Sequence, residues 1–334
     1  MKRIYDPLKI EENLFNIRSE SDFNQLAFSV FCFQFHESPV YREYCQLLGI
    51  EPRQVKSVKD IPFLPIDFFK QHSILTGQEH WEKVFVSSGT AGMQRSKHYI
   101  KRLNLYRQSF VRAFELFYGP VSDYCILALL PGYPEQAHSS LVFMVNELIR
   151  QTGHPDSGFY LYDHGSLADK LEHLEKQGRP VILIGVSHAL LEMTEKYRLR
   201  LKNTIVMETG GMKGRREEIT RQELHEMLMK GFGVDRIHSE YGMAELLSQA
   251  YAKKYGKFQS PPWMKVLIRD FYDPFSILEA GRSGGINVID LANLYSCAFV
   301  ETKDVGRLND DESFEVLGRF DYSDIRGCNL MVME

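Results

Sequence analysis

No long apolar run occurs in this sequence. The longest hydrophobic stretches, residues 124–130 and 181–186, are far too short to span a bilayer, so no membrane span is expected and buried strands are. No apolar segment follows the basic pair Lys2-Arg3, so the opening residues do not read as a signal peptide. Residues 331–334 carry no prenylation cysteine and no retention signal. Basic charge is not in excess either: 40 Lys and Arg against 44 Asp and Glu leave a formal net charge of −4. That balance argues against a general nucleic-acid binder and against a polybasic membrane-surface protein. Cysteine is sparse. Cys32, Cys45, Cys125, Cys297 and Cys328 are odd in number and widely spaced, with no C-x-x-C pair. A disulfide framework or thiolate metal site does not fit that spacing, and a reducing cytoplasm is the expected home. Repeats, low-complexity segments and long flexible linkers are absent.

What is there is the mix of a globular protein, 44% hydrophobic and 25% charged over 334 residues. That length suits two domains or one large α/β domain. Apolar residues at helical spacing predict helices over 8–18 and 23–35, with Phe23, Leu26, Ala27, Val30 and Phe31 lining one face of the second. A third helix is expected over 40–48, stopped by Gly49, followed by a loop marked by Pro52, Pro62 and Pro65. Strands and helices then alternate. Strands are expected at 83–86, 125–130, 159–162, 181–186 and 204–207, and helices at 103–117, 141–150, 167–175, 189–198 and 217–230. This alternation implies mostly parallel strands with crossover helices. From Trp263 onward short strands at 265–268, 286–290, 297–301 and 315–317, separated by Gly- and Asp-rich turns, predict a small antiparallel β subdomain.

Four segments carry the chemistry. Ser87-Ser88-Gly89-Thr90-Ala91-Gly92-Met93-Gln94-Arg95-Ser96-Lys97 follows an expected strand. Its hydroxyls and glycine-freed N–H groups suit phosphate oxygens, and Arg95 and Lys97 add charge for the same polyanion. No G-K-S/T closes it, so it is not a Walker A loop. The alternative is an ordinary polar turn. In His238-Ser239-Glu240-Tyr241-Gly242-Met243-Ala244-Glu245, Tyr241 could stack on a base and Glu245 could hold a magnesium ion bridging phosphates. The alternative is a strand-to-helix junction with Glu245 in a solvated first turn. The third and fourth segments, 301–307 and 318–328, set Asp304 and Arg319 near glycine turns after strands, where a carboxylate can accept from ribose hydroxyls; plain hairpin turns are the alternative. A rival motif of another class is Gly185-Val186-Ser187-His188-Ala189, which resembles a G-x-S-x-G nucleophile elbow with Ala189 for the last glycine. Beyond the adjacent His188 only His225 and His238 follow Ser187, and no Asp is spaced for a normal triad, so a serine hydrolase using Ser187 stands as the outlying reading.

Together and in order, the four segments resemble the core motifs of the adenylate-forming superfamily of acyl-CoA synthetases, luciferases and peptide-synthetase adenylation domains. The resemblance covers residues 84–327. Residues 87–97 look like the phosphate loop S-S/T-G-T-T/S-G-x-P-K, matching at Ser87, Ser88, Gly89, Thr90 and Gly92; Ala91, Gln94 and Arg95 replace the second hydroxyl, the proline and the lysine. Tyr241-Gly242-Met243-Ala244-Glu245 resembles Y-G-x-T-E, with Ala244 where Thr is usual. The resemblance implies Tyr241 on adenine and Glu245 on Mg2+, with Gly210 and Gly211 along the adenine. It matches Asp304 to the ribose-binding Asp of T-G-D, with Lys303 for the glycine, and Arg319 and Asp321 to G-R-x-D. His138, after Leu130-Pro131-Gly132-Tyr133-Pro134, falls where related synthetases carry an aromatic or His near the carboxylate being activated; a packed or surface histidine is the alternative.

The family normally continues past G-R-x-D into a small mobile domain with a catalytic lysine, whereas thirteen residues follow Asp321 here. That short end is similar to the LuxE-type acyl-protein synthetases, as are Gly210-Gly211-Met212-Lys213-Gly214 and Arg326-Gly327-Cys328. The resemblance implies ATP-dependent activation of a carboxylic acid, a fatty acid by analogy, to acyl-AMP. The acyl group would pass to Cys328 and on to an acyl-CoA reductase-type partner. The catalytic set is then Cys328, Glu245, Arg95 and His138. ATP would be held by Ser87, Ser88, Gly89, Thr90, Gly92, Lys97, Gly210, Gly211, Tyr241, Gly242, Asp304 and Arg319. The expected architecture is an α/β large domain over 1–317 (helical N-terminal region 1–80, α/β core 81–262, β-rich region 263–317) and a short tail over 318–334. An acyl- or aryl-CoA ligase and a degenerate nucleotide-binding scaffold are the other open readings.

Overall fold

In the computed structural model, which describes residues 5–77, 80–88, 94–210 and 219–320, the chain divides into two units. Described residues within 1–79 and 262–334 make one, and those within 80–261 the other. The first unit opens with α1 (Pro7–Asn13), α2 (Glu20–Glu37) and α3 (Pro39–Leu47), then β1 (Leu64–Pro65) and one turn of helix, α4 (Phe68–Gln71). The helix expected over 8–18 stops at Asn13 because side-chain amides take over its last carbonyls. Asn13 Nδ2 donates to Lys9 O and Asn16 Nδ2 to Glu12 O. Ser19 caps α2 by accepting from Asp22 N. Inside α2, the buried Gln34 is fully used: its Nε2 donates to the carbonyls of Asn293 and Leu294, and its Oε1 accepts from Ala298 N. A buried amide satisfied on both ends avoids the cost of an orphaned polar group and fixes α2 on the 293–298 segment.

The second unit begins with β2 (Lys83–Val86) and β3 (Lys97–Ile100), paired antiparallel as a separate two-stranded sheet. The remainder runs α5 (Leu103–Tyr118), β4 (Cys125–Leu129), α6 (Ser140–Thr152), β5 (Gly158–Phe159), α7 (His164–Lys176), β6 (Val181–Val186) and α8 (Ser187–Lys196). It continues through β7 (Thr204–Thr209), α9 (Arg221–Phe232), β8 (His238–Tyr241), β9 (Ala250–Ala252) and β10 (Phe258–Gln259). Strands β5, β4, β6, β7 and β8 lie side by side, all parallel, and β9 and β10 extend the sheet antiparallel. All of β4 and five of the six residues of β6 are buried, as expected for parallel strands covered on both faces. Leu127, Leu129, Leu183, Leu190 and Leu228 are wholly buried in the shared core, each worth about 1.5–3 kcal/mol in transfer free energy. Gly185 marks a close approach within this core. A Cβ there would stand 2.8 Å from Leu129 Cβ and 3.1 Å from Leu190 Cγ, so β4, β6 and α8 meet at a clearance only glycine permits.

The chain returns to the first unit with β11 (Met264–Arg269), β12 (Ser283–Asp290), β13 (Phe299–Leu308) and β14 (Phe314–Arg319), an antiparallel run in that order; β1 pairs parallel with β13 at Val300 and Glu301. This is the antiparallel β region expected from Trp263 onward. One expectation fails here, and one alternative reading fails in the second unit. The strand expected to end at 301 runs on to Leu308, so Asp304 lies inside a strand rather than at a turn after one. Residues 242–249, which follow β8, form no helix, so the alternative that placed Glu245 in a helical first turn fails.

Candidate active site

The stem of the Ser/Gly/Thr segment is closed by Ser87. Its N–H donates to Ser96 O at 3.1 Å and its Oγ accepts from Ser96 N at 3.0 Å, one step beyond the Val86–Lys97 pair of the ladder. Ser88, Arg95 and Lys97 are exposed at this stem. Gly89, Thr90 and Gly92 lie outside the described residues. His138 meets the stem through its backbone, its carbonyl accepting from Val86 N at 2.8 Å, while its side chain is exposed.

A second link ties the stem to the Tyr241–Glu245 segment. His98, on β3 and buried, has Nδ1 2.8 Å from Ala244 O. A carbonyl only accepts, so Nδ1 carries the proton. This bond joins segments 146 residues apart, immediately before Glu245. Glu245 is itself only 5% exposed, unlike a carboxylate on a solvated helix turn. On β8, Glu240 accepts a hydrogen bond from Thr209 Oγ1 at the end of β7, where the two residues are register partners. Tyr241 packs against Phe258, ring centres 5.8 Å apart. Gly242 next to it is exposed.

Gly210 ends β7 in the left-handed region, φ 70°, a turn glycine adopts without steric cost. Its carbonyl accepts from Ser187 Oγ at 2.7 Å. Ser187 begins α8 yet caps nothing in its own helix. Its hydroxyl reaches across to β7 instead, lying also 3.4 Å from Glu208 Oε2. Glu208 Oε1 is 3.5 Å from Arg221 Nη1 and 3.6 Å from His225 Nε2, and His225 Nε2 is 3.4 Å from Ser239 Oγ. Burial alone would push the Glu208 carboxyl up. The His225 hydrogen bond and the Arg221 charge outweigh it and hold the group below its ordinary value. This arrangement removes the serine-hydrolase reading. Ser187 is 1% exposed, whereas an elbow nucleophile is presented to substrate, and the partners of its hydroxyl are a carbonyl and a carboxylate rather than an imidazole. Gly211 lies outside the described residues.

In the first unit Asp304 and Arg319 face each other across the β13–β14 ladder, Arg319 Nε 3.3 Å from Asp304 Oδ1. Asp304 is 9% exposed, while the Arg319 side chain is 69% exposed. Thr302 orients the acid: its Oγ1 donates to Ile286 O and accepts from Asp304 N. Lys303, which stands where the resemblance has glycine, turns to Asp67 at 2.6 Å. Burial would raise Asp67, but the hydrogen bonds from Lys303 and Lys70 keep its pKa below the ordinary range.

Cys32, Cys45, Cys125 and Cys297 are buried free thiols. Burial raises the pKa of all four, Cys45 to about 12. Asp321 and Cys328 lie outside the described residues. Four further residues join the candidate site without standing out in the sequence: His98, Glu208, Arg221 and Glu240. Glu208 leaves a signal there, a charge near the end of a strand that is otherwise apolar. His98 and Arg221 leave none, because their partners are far away along the chain.

Two solved structures share this architecture. A 2-hydroxyisobutyryl-CoA ligase in complex with 2-HIB-AMP and CoA matches with a TM-score of 0.66 at 11% identity, over 93% of this chain and 78% of its own. ATP-bound MatB from Rhodopseudomonas palustris matches with a TM-score of 0.54 at 15% identity, over 71% of this chain and 47% of its own, so the chain spans about half the length of that enzyme. Identities this low establish the fold alone, which is that of the adenylate-forming ligases. A sequence relative, the long-chain-fatty-acid–luciferin-component ligase of Vibrio harveyi, is 22% identical over 93% of this chain and 87% of its own length. The profile of the family described as acyl-protein synthetase, LuxE, matches residues 6–334, and the chain belongs to that family.

Proposed function

We propose that this protein activates a carboxylic acid, a long-chain fatty acid by analogy with the Vibrio relative, and transfers the acyl group to a thiol. A carboxylate oxygen attacks the α-phosphorus of ATP, the bond to the β-phosphate oxygen breaks, and acyl-AMP and pyrophosphate form. A thiolate then attacks the acyl carbonyl and AMP leaves. The work of the first step is positioning and charge neutralisation. Ser87, Ser88, Gly89, Thr90, Gly92, Arg95 and Lys97 take the phosphates. Tyr241, Gly242, Gly210 and Gly211 frame the adenine, Asp304 and Arg319 hold the ribose, and His138 lies toward the acid.

The observation that carries this reading is the His98–Ala244 bond, which fastens the phosphate-segment stem beside Glu245. The donor set suits magnesium. Among the described residues no three His, Cys, Asp or Glu side chains gather into a metal cluster, but an ion arriving with a nucleotide needs only one or two carboxylates besides phosphate oxygens. Glu245 would hold it there, and the bound ion would neutralise phosphate charge. We assign the thiol to Cys328, since the other four cysteines are buried with raised pKa values and make poor nucleophiles. Residues 1–317 would act as the large domain and 318–334 as the acyl-carrying tail, serving a reductase-type partner in the cytoplasm. Among the described residues no helix is long and apolar enough to cross a membrane.

The test is ATP–pyrophosphate exchange with a panel of carboxylic acids, followed by labelled acid plus ATP on a denaturing gel. Acid-dependent exchange is expected, together with hydroxylamine-labile label on the wild type and none on Cys328→Ser. Exchange without label on either protein would shift the acceptor to CoA or a carrier, and equal label on both would remove Cys328.

A further inference from the structure

Glu208 is an ionised carboxylate in a place where ionised groups are costly, 4% exposed at the end of β7. Four side chains from three elements converge on it: Ser187 from the start of α8, Arg221 and His225 from α9, and, through His225, Ser239 from β8. One of these leads onward to a flank of the proposed adenine site. Ser187 Oγ gives its one proton to the carbonyl of Gly210 at 2.7 Å, so it holds that carbonyl without bonding Glu208. The Arg221 guanidinium lies 4.9 Å from the centre of the Phe258 ring, and Phe258 packs on Tyr241 at 5.8 Å. One buried carboxylate thus anchors a chain of contacts that ends at Tyr241.

We propose that Glu208 is a positioning residue for the nucleotide, holding Tyr241 at the flank of the adenine site through Arg221 and Phe258. The inference rests on the reading of Tyr241 as an adenine contact. It assigns Glu208 no bond to substrate and no proton transfer. A carboxylate pairs with a guanidinium, whereas an amide carries no charge. Glu208→Gln therefore keeps the volume and loosens this arm. Arg221→Lys keeps the charge beside Glu208 and loses the planar guanidinium over Phe258.

The experiment measures ATP and GTP binding by calorimetry to the full chain, as wild type, Glu208→Gln and Arg221→Lys, with thermal melts to establish folding. Glu208→Gln is expected to weaken ATP binding about tenfold and to narrow the ATP-over-GTP preference by a similar factor. In pyrophosphate exchange KM for ATP should rise while kcat stays within about twofold, the mark of lost binding rather than lost chemistry. Unchanged ATP affinity in the folded variant, equal weakening for both nucleotides, or a wild type that does not prefer ATP would overturn the proposal. If Glu208→Gln fails to fold, Arg221→Lys decides, with the same signs and a smaller shift. A wild type that binds ATP but never exchanges removes the ligase reading alone, and the binding comparison still decides Glu208. A wild type that binds no ATP removes both.

Discussion

The two units offer their candidate residues in opposite ways. In the second unit Gly210, Tyr241 and Glu245 sit at or beyond the carboxyl ends of parallel strands, where the ladder stops and backbone groups come free. In the first unit Asp304 and Arg319 sit within an antiparallel ladder and meet because they are register partners. The difference teaches where each half is vulnerable. A break in a ladder tolerates sliding of the strand behind it. A register pair does not, because a one-residue slip turns the side chain to the other face. Two register shifts lie beside Asp304: β13 carries extra residues between Glu301 and Val305 against β12, and β14 carries one between Val316 and Gly318 against β13.

The largest expected effect breaks the second-unit half of the comparison. Glu245→Gln should lower acid-dependent pyrophosphate exchange about a thousandfold, the scale of several kcal/mol supplied by metal-held charge, with an unchanged melting temperature. Exchange near wild type would remove Glu245 from the site.

A second prediction uses pH to separate the units. Burial, helped by Arg236 and Lys253, holds the His238 pKa down to about 4 from an ordinary 6.5. Between those values the unfolded chain binds a proton that the folded chain refuses, so stability falls as pH falls, by about 3 kcal/mol across the window. In the first unit the sign reverses. Burial raises the Glu301 pKa despite Arg269, so its contribution is present at low pH and lost as pH rises through the raised value. Hydrogen exchange at pH 7 and pH 4.5 should show β8 losing protection on acidification, a loss that His238→Gln blunts. The same slope in His238→Gln would show that another group titrates.

A smaller effect tests the register pair. Asp304→Ala should weaken ATP binding by about 2 kcal/mol, since it removes charge-assisted hydrogen bonds. Arg319→Ala should cost less than about 1 kcal/mol, because its mostly exposed side chain is screened by water. Equal losses in calorimetry would mean that Arg319 does more than accompany the acid.

The alternation of β4 through α9 is readable in the sequence because buried parallel strands leave short apolar runs and their helices leave a periodic stripe. Leu103 and Val181–Val186 bound their elements where periodicity sets them. β3 and β8 are not readable. Lys97-His98-Tyr99-Ile100 and His238-Ser239-Glu240-Tyr241 are polar in composition, and β8 is a buried strand only because His238, Ser239 and Glu240 find partners on other elements. The same cause limits the site. Ser87, Tyr241 and Glu245 stand in motifs that local spacing displays, whereas the Ser187–Glu208–His225 cluster and the His98–Ala244 bond exist only after the sheet has assembled. Ser187 resembles an elbow nucleophile in its local sequence, and its actual work, holding Gly210, needs the crossover from β6 to β7 to become visible.

Gly185 is the register partner of Glu208 on the neighbouring strand and lies two residues before Ser187. The atom nearest to a methyl group at 185 is Leu129 Cβ, which every residue except glycine carries, so a smaller side chain at 129 makes no room for it. Trimming Leu190 removes only the second and third contacts and leaves the first. Relatives of this protein should therefore keep glycine at 185 while 129 and 190 exchange among apolar residues, so that the spacing of two backbones fixes this position before selection on activity acts.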